Sequence, residues 1–563
     1  MKSIIKRKTM CIAGLLVLAA LLGVGAQAAV AEENALTMSM GAIGDLGTDP
    51  TLSANLFPES GGRGVYHPYT HYSPLIDWDN DGNIIPWVAE SFEVSDDLKT
   101  ITFHLRKGIK FADGTPLNAS IVKFNFDRVI TYGCTDMRDK QKLPIYLYYD
   151  YSEASDENTF EIHFTQGWLN VARDFPRNQA YSEFISPLDV DPAWDITGTL
   201  KPDKRYNGIG PYYVDENESI PKEKVVLIKR NSWRDDLNFH APKIDKIVLT
   251  LIADPQTAVL ALEKGEIDYI CRYWNPSIDS LVKLENAPEI TIETEPDART
   301  FFLTTAYWKE PFNGSDGILL RKAICYGLNR KEIVDGAFSG YATPATDTMH
   351  LSPLSPEVPG CCYKGYDYDM DKAKKLLAEA GWKDMDGDGI LDKNGKPLEL
   401  DLAISSSLTL GWMKDLAVMV QSQLEDMGIE INIRSLEPSA YSNTLSAGSA
   451  GDFDLILAYT DPGVYPMTHK LMVFNSSMSY MRSMYVNGND TLDEIVYNAY
   501  MASNKMERDQ YICEVCNILY EDAGLIPLVH PMKYAVMNSK VKGFKFDAGW
   551  GTYEHVEECE IGK

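Results

Sequence analysis

Between Leu398 and Leu436 the chain spells out strand, helix, strand. "LELDLAI" (398–404) and "IEINIRSL" (429–436) are short runs rich in Leu and Ile. Between them, in "WMKDLAVMVQSQLEDMGIE" (412–430), Leu416, Val420, Leu424 and Met427 line one helical face before Gly428. That order reads as a βαβ unit, which layers a helix on a sheet. The alternation continues elsewhere. Strand-like runs occur at 100–106, 224–230, 246–252 and 452–459. In "DMDKAKKLLAEAGW" (369–382), Ala373, Leu376, Leu377 and Ala380 share a helical face and Gly381 is a natural stop. The expected architecture is α/β with mixed sheets. No repeat or low-complexity linker interrupts it, and a chain of this length predicts two or more domains.

The amino terminus is different. Lys2, Lys6, Arg7 and Lys8 precede an apolar run from Cys11 to about Val24, followed by "AQAAVAEEN" (26–34). A basic head, a short apolar middle and an A-x-A exit describe a signal peptide, residues 1–31, cleaved after Ala31 or Ala28. The run is shorter than the ~20 residues a membrane span needs. Cys11 stands at its start, so no lipoprotein cleavage site is expected. Removing this segment takes away four positive charges and no acids, which moves the net charge from −28 to −32. A body so acidic argues against nucleic acid or an anionic membrane surface as partner.

Of nine cysteines, eight remain after Cys11 is removed, an even number that permits disulfides in an exported chain. Pairing is not readable. Cys513 and Cys516 in "YICEVCNI" lie one helical turn apart, which reads as small core residues or a disulfide partner before it reads as a redox or metal motif. There is no second CxxC at zinc-ribbon spacing.

The segment "KFADGTPLNASIVKFNFDRVI" (110–130) turns at Asp113-Gly114, leaves through Pro116 and enters a helix with Asn118 as N-cap. Ile121, Phe124 and Val129 share its face. With the preceding "TITFHLRKGIKF", read as a strand pair, it is scaffold.

Together with its neighbours this segment resembles the signature region (84–130) of the peptide/nickel-type solute-binding proteins of ABC importers, family 5. The resemblance continues through "NGIGPYYV" (207–214), with Ile209 where Thr is usual. It extends through "KRNSWR" (229–234), "IDKIVLTLIADPQTAVLALEKGEIDYI" (244–270), "LLRKAICYGLNRKEIVDGAFSGYATPA" (319–345) and "YDMDKAKKLLAEAGWKDMDGDGILD" (368–392). It implies the two-lobed periplasmic-binding-protein fold, class II type, with an extra subdomain in lobe I. Lobe I is expected at 32–298, lobe II at 299–527, and a return to lobe I at 528–563. The two crossings fall near "RTFFLTTAY" (299–307) and "GLIPLVHP" (524–531).

The resemblance also implies where ligand contacts lie. The loop "AYTDPGVYPMTHK" (458–470) follows a strand, and Asp461 fits the Asp of a Trp-x-x-Asp that holds a peptide's ammonium group. Ala458 occupies the Trp place, with Tyr459 and Tyr465 as substitute aromatic surface; the plainer role for Asp461 is a helix cap. Trp412 and the hydroxyls of "ISSSLTLGWMK" (404–414) are expected to line a longer-peptide site, since the Arg of the dipeptide subset is missing there. Arg299 is a second candidate for a ligand carboxylate, or else a salt bridge. His469 lies in the loop, but none of the nine histidines forms an HxH or HExxH pair. A nickel chelate held by aromatic and Arg contacts would need no such pair. Asp384, Asp386, Asp388 and Asp392, with Gly389, resemble a calcium loop, but position 12 is Gly395. Asp-Gly turns are expected, with a weak structural Ca²⁺ as the alternative and no other cofactor.

No G-x-S-x-G elbow, P-loop, HExxH or complete Rossmann fingerprint occurs, which disfavours a secreted hydrolase. The expected activity is binding alone: a periplasmic monomer that captures a peptide, or alternatively a nickel or metal chelate, for an ABC permease.

Overall fold

The structure is a computed structural model that describes residues 34–41, 73–79, 83–132, 144–174, 184–204, 207–230, 242–271, 276–297, 299–347, 358–407, 412–447, 451–460, 474–475, 490–546 and 555–562. The chain enters on β1 (Ala35–Met40) and then builds a separate four-stranded antiparallel sheet. Its strands are β2 (Ala89–Val94), β3 (Thr100–Leu105), β4 (Tyr149–Ala154) and β5 (Thr159–Phe164), in the order β2-β3-β5-β4. Alternation in "TITFHL" turns Ile101, Phe103 and Leu105 inward, because successive side chains point to opposite faces. Helix α1 (Ala119–Tyr132) covers that face, with Phe126 edge-on to Phe160 at 5.7 Å. Asn118 caps it by accepting the Ile121 N–H at 3.0 Å, and Ile121, Phe124 and Val129 are buried. The expected strand pair at 100–111 is a single strand instead: the chain turns at Lys107-Gly108, and only Lys110 bridges onward, to Pro116.

Among the described residues the main sheet has twelve strands. They are β1 and then β6 (Tyr212–Val214), β7 (Lys224–Lys229), β8 (Lys246–Leu251), β9 (Tyr269–Ile270), β10 (Ile290–Pro296), β11 (Thr300–Thr305) and β12 (Ala342–Pro344). β13 (Glu399–Ser405), β14 (Glu430–Leu436), β15 (Leu455–Thr460) and β16 (Leu525–Asn538) complete it. Its main path runs β6-β7-β8-β1-β9-β16-β11-β15-β13-β14, with β10 and β12 also paired to β16. β1 lies parallel to β8, and β13 lies parallel to both β14 and β15.

Helices α2 (Pro255–Glu263) and α3 (Ile278–Leu284) pack in the first half of this sheet. Helices α4 (Gly314–Gly327), α5 (Arg330–Phe338), α6 (Met370–Glu379), α7 (Trp412–Glu425) and α8 (Lys505–Asp522) share the core of the second half. α6 and α7 stop at the glycines the sequence singles out: Gly381 at φ +87° and Gly428 at φ +82° supply the left-handed turn.

Two neighbouring strands pass from one half to the other. β10 leads through Asp297 into β11, and β16 runs back alongside both, with Pro296 opposite Met532, Phe301 opposite Val529 and Thr304 opposite Leu525. The register shifts between Phe301 and Phe302. All six residues of β11 are buried, as a strand flanked on both edges and covered on both faces requires. Two disulfides, Cys361–Cys513 and Cys362–Cys516, pin α8 to the short turn Gly360–Tyr363, so the CxxC cysteines are bridged to a vicinal pair and not to each other.

Candidate ligand-binding site

Phe301 forms the floor of the site. Trp412, the first residue of α7, lies flat on it with ring centroids 3.6 Å apart and planes 3° from parallel. Tyr459 sits directly opposite Phe301 across the β11–β15 ladder and stands edge-on, 6.1 Å from Phe301 and 5.9 Å from Trp412. Phe338 closes the far side at 6.0 Å. Phe301 is buried, whereas Trp412 and Tyr459 are half-buried, so indole and phenol are the accessible layer of an aromatic shelf.

Topology explains the convergence. β13 and β15 are parallel; Trp412 follows the carboxyl end of one and Tyr459 lies near the carboxyl end of the other. β11 runs antiparallel to β15, so its start, with Arg299, lies at that same end. This is the end at which open α/β sheets take ligands.

Arg299 is held by Asp297. Its Nε and Nη2 both donate to Asp297 Oδ2, at 2.9 and 2.5 Å, while Asp297 Oδ1 accepts the Arg299 backbone N–H at 3.0 Å. The Asp297 side chain is 1% exposed and that of Arg299 21%, so the guanidinium is the half of the pair that solvent reaches. Next to it, Thr300 Oγ1 lies 3.0 Å from His530 Nδ1, and the buried Lys533 ammonium pairs with Glu295 at 3.3 Å. Of the six sequence-predicted residues, Trp412 and Tyr459 come together around Phe301, and Arg299 lies two residues before Phe301, held by Asp297. Asp461, Tyr465 and His469 lie outside the described residues.

Phe301, Phe338, Asp297, His530 and Lys533 escaped the sequence reading. Two signals were present: opposite charges two apart in "PDART", which share one side of an extended chain, and a lone Lys inside the apolar run "VHPMKYAVM".

A separate cavity of about 620 Å³ lies where α3 and β10 face the α5–β12 turn, lined by Leu284, Glu285, Ile292, Tyr341 and Thr343. Tyr341 donates to Glu285 Oε1 at 2.5 Å across it. Burial, with that carboxylate alongside, pushes the phenol well above its ordinary range.

In the Asp-rich loop, Asp384, Asp386 and Asp392 bring carboxylate oxygens within 4.8 Å of one another. Asp388 turns instead to the Ile390 N–H at 2.8 Å. The Asp384 oxygens accept the N–H groups of Gly387 and Gly389 at 2.6 and 3.2 Å, the bonding of an Asp-Gly turn. Among the described residues, three other groups of possible metal-ligating atoms are Glu153, Glu161 and His163; His555, Glu557 and Glu558; and the sulfurs of Cys361, Cys362 and Cys516.

An α/β sheet in two halves, spanned by paired strands and carrying a shelf of aromatic rings and a half-exposed guanidinium at its strand ends, defines a two-lobed solute receptor. Residues 83–480 match the description "Bacterial extracellular solute-binding proteins, family 5 Middle", and the chain belongs to that family. Its members bind solutes and do not transform them.

Among its relatives, the nickel-binding periplasmic protein of Escherichia coli K12 is 28% identical over 66% of this chain and 66% of its own, just under two thirds of that protein's length. The heme-binding protein A of Haemophilus influenzae is 26% identical over 85% of this chain and 86% of its own. The oligopeptide-binding protein AppA of Bacillus subtilis is 26% identical over 84% and 83%.

Two solved structures share the fold at 22% identity. NikA from Brucella suis in complex with Fe(III)-EDTA has a TM-score of 0.77 over 94% of this chain and 99% of its own. AppA from Bacillus subtilis in complex with a nonapeptide has a TM-score of 0.68 over the same shares.

Proposed function

We propose that this chain captures peptides in the periplasm and hands them to the transmembrane subunits of an ABC permease. The observation that carries the reading is the shelf of Trp412 and Tyr459 over Phe301 at the strand ends, with Arg299 just before Phe301 in the chain. Flat rings accept side chains of any sequence by apolar contact, and a guanidinium suits a carboxylate. Asp461, Tyr465 and His469 follow β15 directly, and in this reading they complete the site, with Asp461 facing the peptide ammonium. Residues 32–298 with 528–563 form one lobe and 299–527 the other, after removal of 1–31. Ligand touching both lobes favours the closed state; turning a 1:99 equilibrium into 99:1 takes about 5.5 kcal/mol of differential affinity.

A second reading within the family is a nickel or metal-chelate receptor, supported by the nickel-binding relative and by a shelf that would stack equally well on a planar chelate. Native mass spectrometry of the purified protein separates the two. Heterogeneous peptide adducts are expected; a single small adduct with a nickel isotope pattern would replace the peptide reading with the chelate one.

A further inference from the structure

We propose that the sulfurs of Cys361, Cys362, Cys513 and Cys516 form a second site, one that takes up a single soft divalent cation such as Zn²⁺ as a tetrathiolate once its two disulfides are reduced. The site is independent of whatever the aromatic shelf binds. Two short rigid segments each present two sulfurs: the turn Gly360–Tyr363 gives adjacent cysteines, and α8 gives cysteines one helical turn apart. The sulfurs already converge. Within each bridge they are bonded, and between bridges Cys361 Sγ lies 3.7 Å from Cys362 Sγ. The sulfurs of Cys361, Cys362 and Cys516 all fall within 4.8 Å of one another. A tetrahedral zinc with Zn–S bonds of about 2.3 Å needs sulfurs about 3.8 Å apart. The Cys361–Cys362 spacing therefore already fits, whereas Cys513 Sγ stands outside the group of three and turns in once its bridge to Cys361 is reduced.

The surroundings suit such a centre. Cys361 and Cys513 are half-buried, so a reductant reaches the outer bridge first; Cys362 and Cys516, at 1% and 3% exposed, form a shielded inner bridge. Four thiolates around a divalent ion leave a dianion, and thiolates favour soft cations. Lys364, two residues beyond Cys362, places its ammonium 3.8 Å over the Tyr520 ring and pairs with Glu521, and Lys322 pairs with the same carboxylate.

The electron balance is simple. A phosphine gives two electrons to each disulfide; phosphorus becomes the phosphine oxide with oxygen from water, and the two sulfurs leave as thiols. Cation uptake then displaces four thiol protons.

The test uses the full chain. The protein is reduced with tris(2-carboxyethyl)phosphine, incubated with one equivalent of Zn²⁺ or with EDTA, alkylated with iodoacetamide and mapped by peptide mass. Zinc should lower alkylation of Cys361, Cys362, Cys513 and Cys516 together at least tenfold while leaving Cys325 unchanged. In the same reduced protein Co²⁺ should give the visible ligand-field bands of a tetrahedral tetrathiolate, and Cys516→Ser should abolish them. Equal alkylation of the four with and without zinc would overturn the proposal. So would cobalt bands that persist in Cys516→Ser.

Discussion

Asp297 is buried and Arg299 partly exposed, and the asymmetry predicts the effect of removing the carboxylate. Asp297→Asn leaves a partly buried guanidinium facing an amide that cannot balance its charge. We expect a loss of about 3 kcal/mol in urea unfolding, the scale on which breaking a buried pair costs stability. Trp412→Ala removes the upper ring of the shelf. It should weaken peptide binding at least tenfold in calorimetry while shifting the melting temperature little, because the indole is half-exposed. Cys325 behaves in the opposite way. Burial pushes its thiol up to about 12, so it stays protonated in the native chain. Iodoacetamide at pH 8 should leave Cys325 unmodified until denaturant is added. Its raised pKa also contributes stability that is present below the unfolded thiol's ordinary value and is lost as pH rises toward 12.

At the scale of elements, most of the architecture was legible because it rests on periodicity. The βαβ unit at 398–436 appears as β13, α7 and β14 within a residue or two of its expected bounds. α6 ends before Gly381 and α1 starts after Asn118 as read. Asn118→Ala should therefore cost about 1 kcal/mol, measured by chemical denaturation, because the Ile121 N–H loses its acceptor.

Long-range partnerships were not legible, because they depend on chain reversal and not on local pattern. Arg330 sits in the helix motif "LNRKEIV", but nothing local says that its guanidinium ends buried against the carbonyls of Cys325, Leu328 and Pro527. It locks α5 to β16. Arg330→Lys should cost about 2–3 kcal/mol, since an ammonium cannot span those acceptors as a planar fork does. For the same reason the cysteine pairing was hidden: Cys361 and Cys513 are 152 residues apart. At the site, the aromatic identities of Trp412 and Tyr459 were readable from position, whereas Phe301 beneath them looked like any strand residue.

Across the whole molecule, two chemistries set the response to conditions. Burial pushes the phenols of Tyr212, Tyr366, Tyr441 and Tyr534 well above their ordinary value near 10. Each ionises more readily once the chain unfolds, so its contribution is intact below pH 10 and is lost above it. Melting temperature should fall steeply from pH 10 upward, with the tyrosinate absorbance rising in step with unfolding and not before it.

The other response is mechanical. β10–β11 and β16 pass between the halves as one antiparallel ladder, so in the proposed capture the halves would close by twisting that ribbon. Small-angle scattering should show a smaller radius of gyration with a bound peptide pool. The same ribbon has a consequence for how the protein is made. β9, β10, β11 and β12 all pair with β16, whose residues 525–538 leave the ribosome after every other strand of the main sheet. A nascent chain stopped short of Leu525 should stay protease-sensitive, its sheet lacking the keystone. The main sheet therefore closes only when the last of its strands has been made.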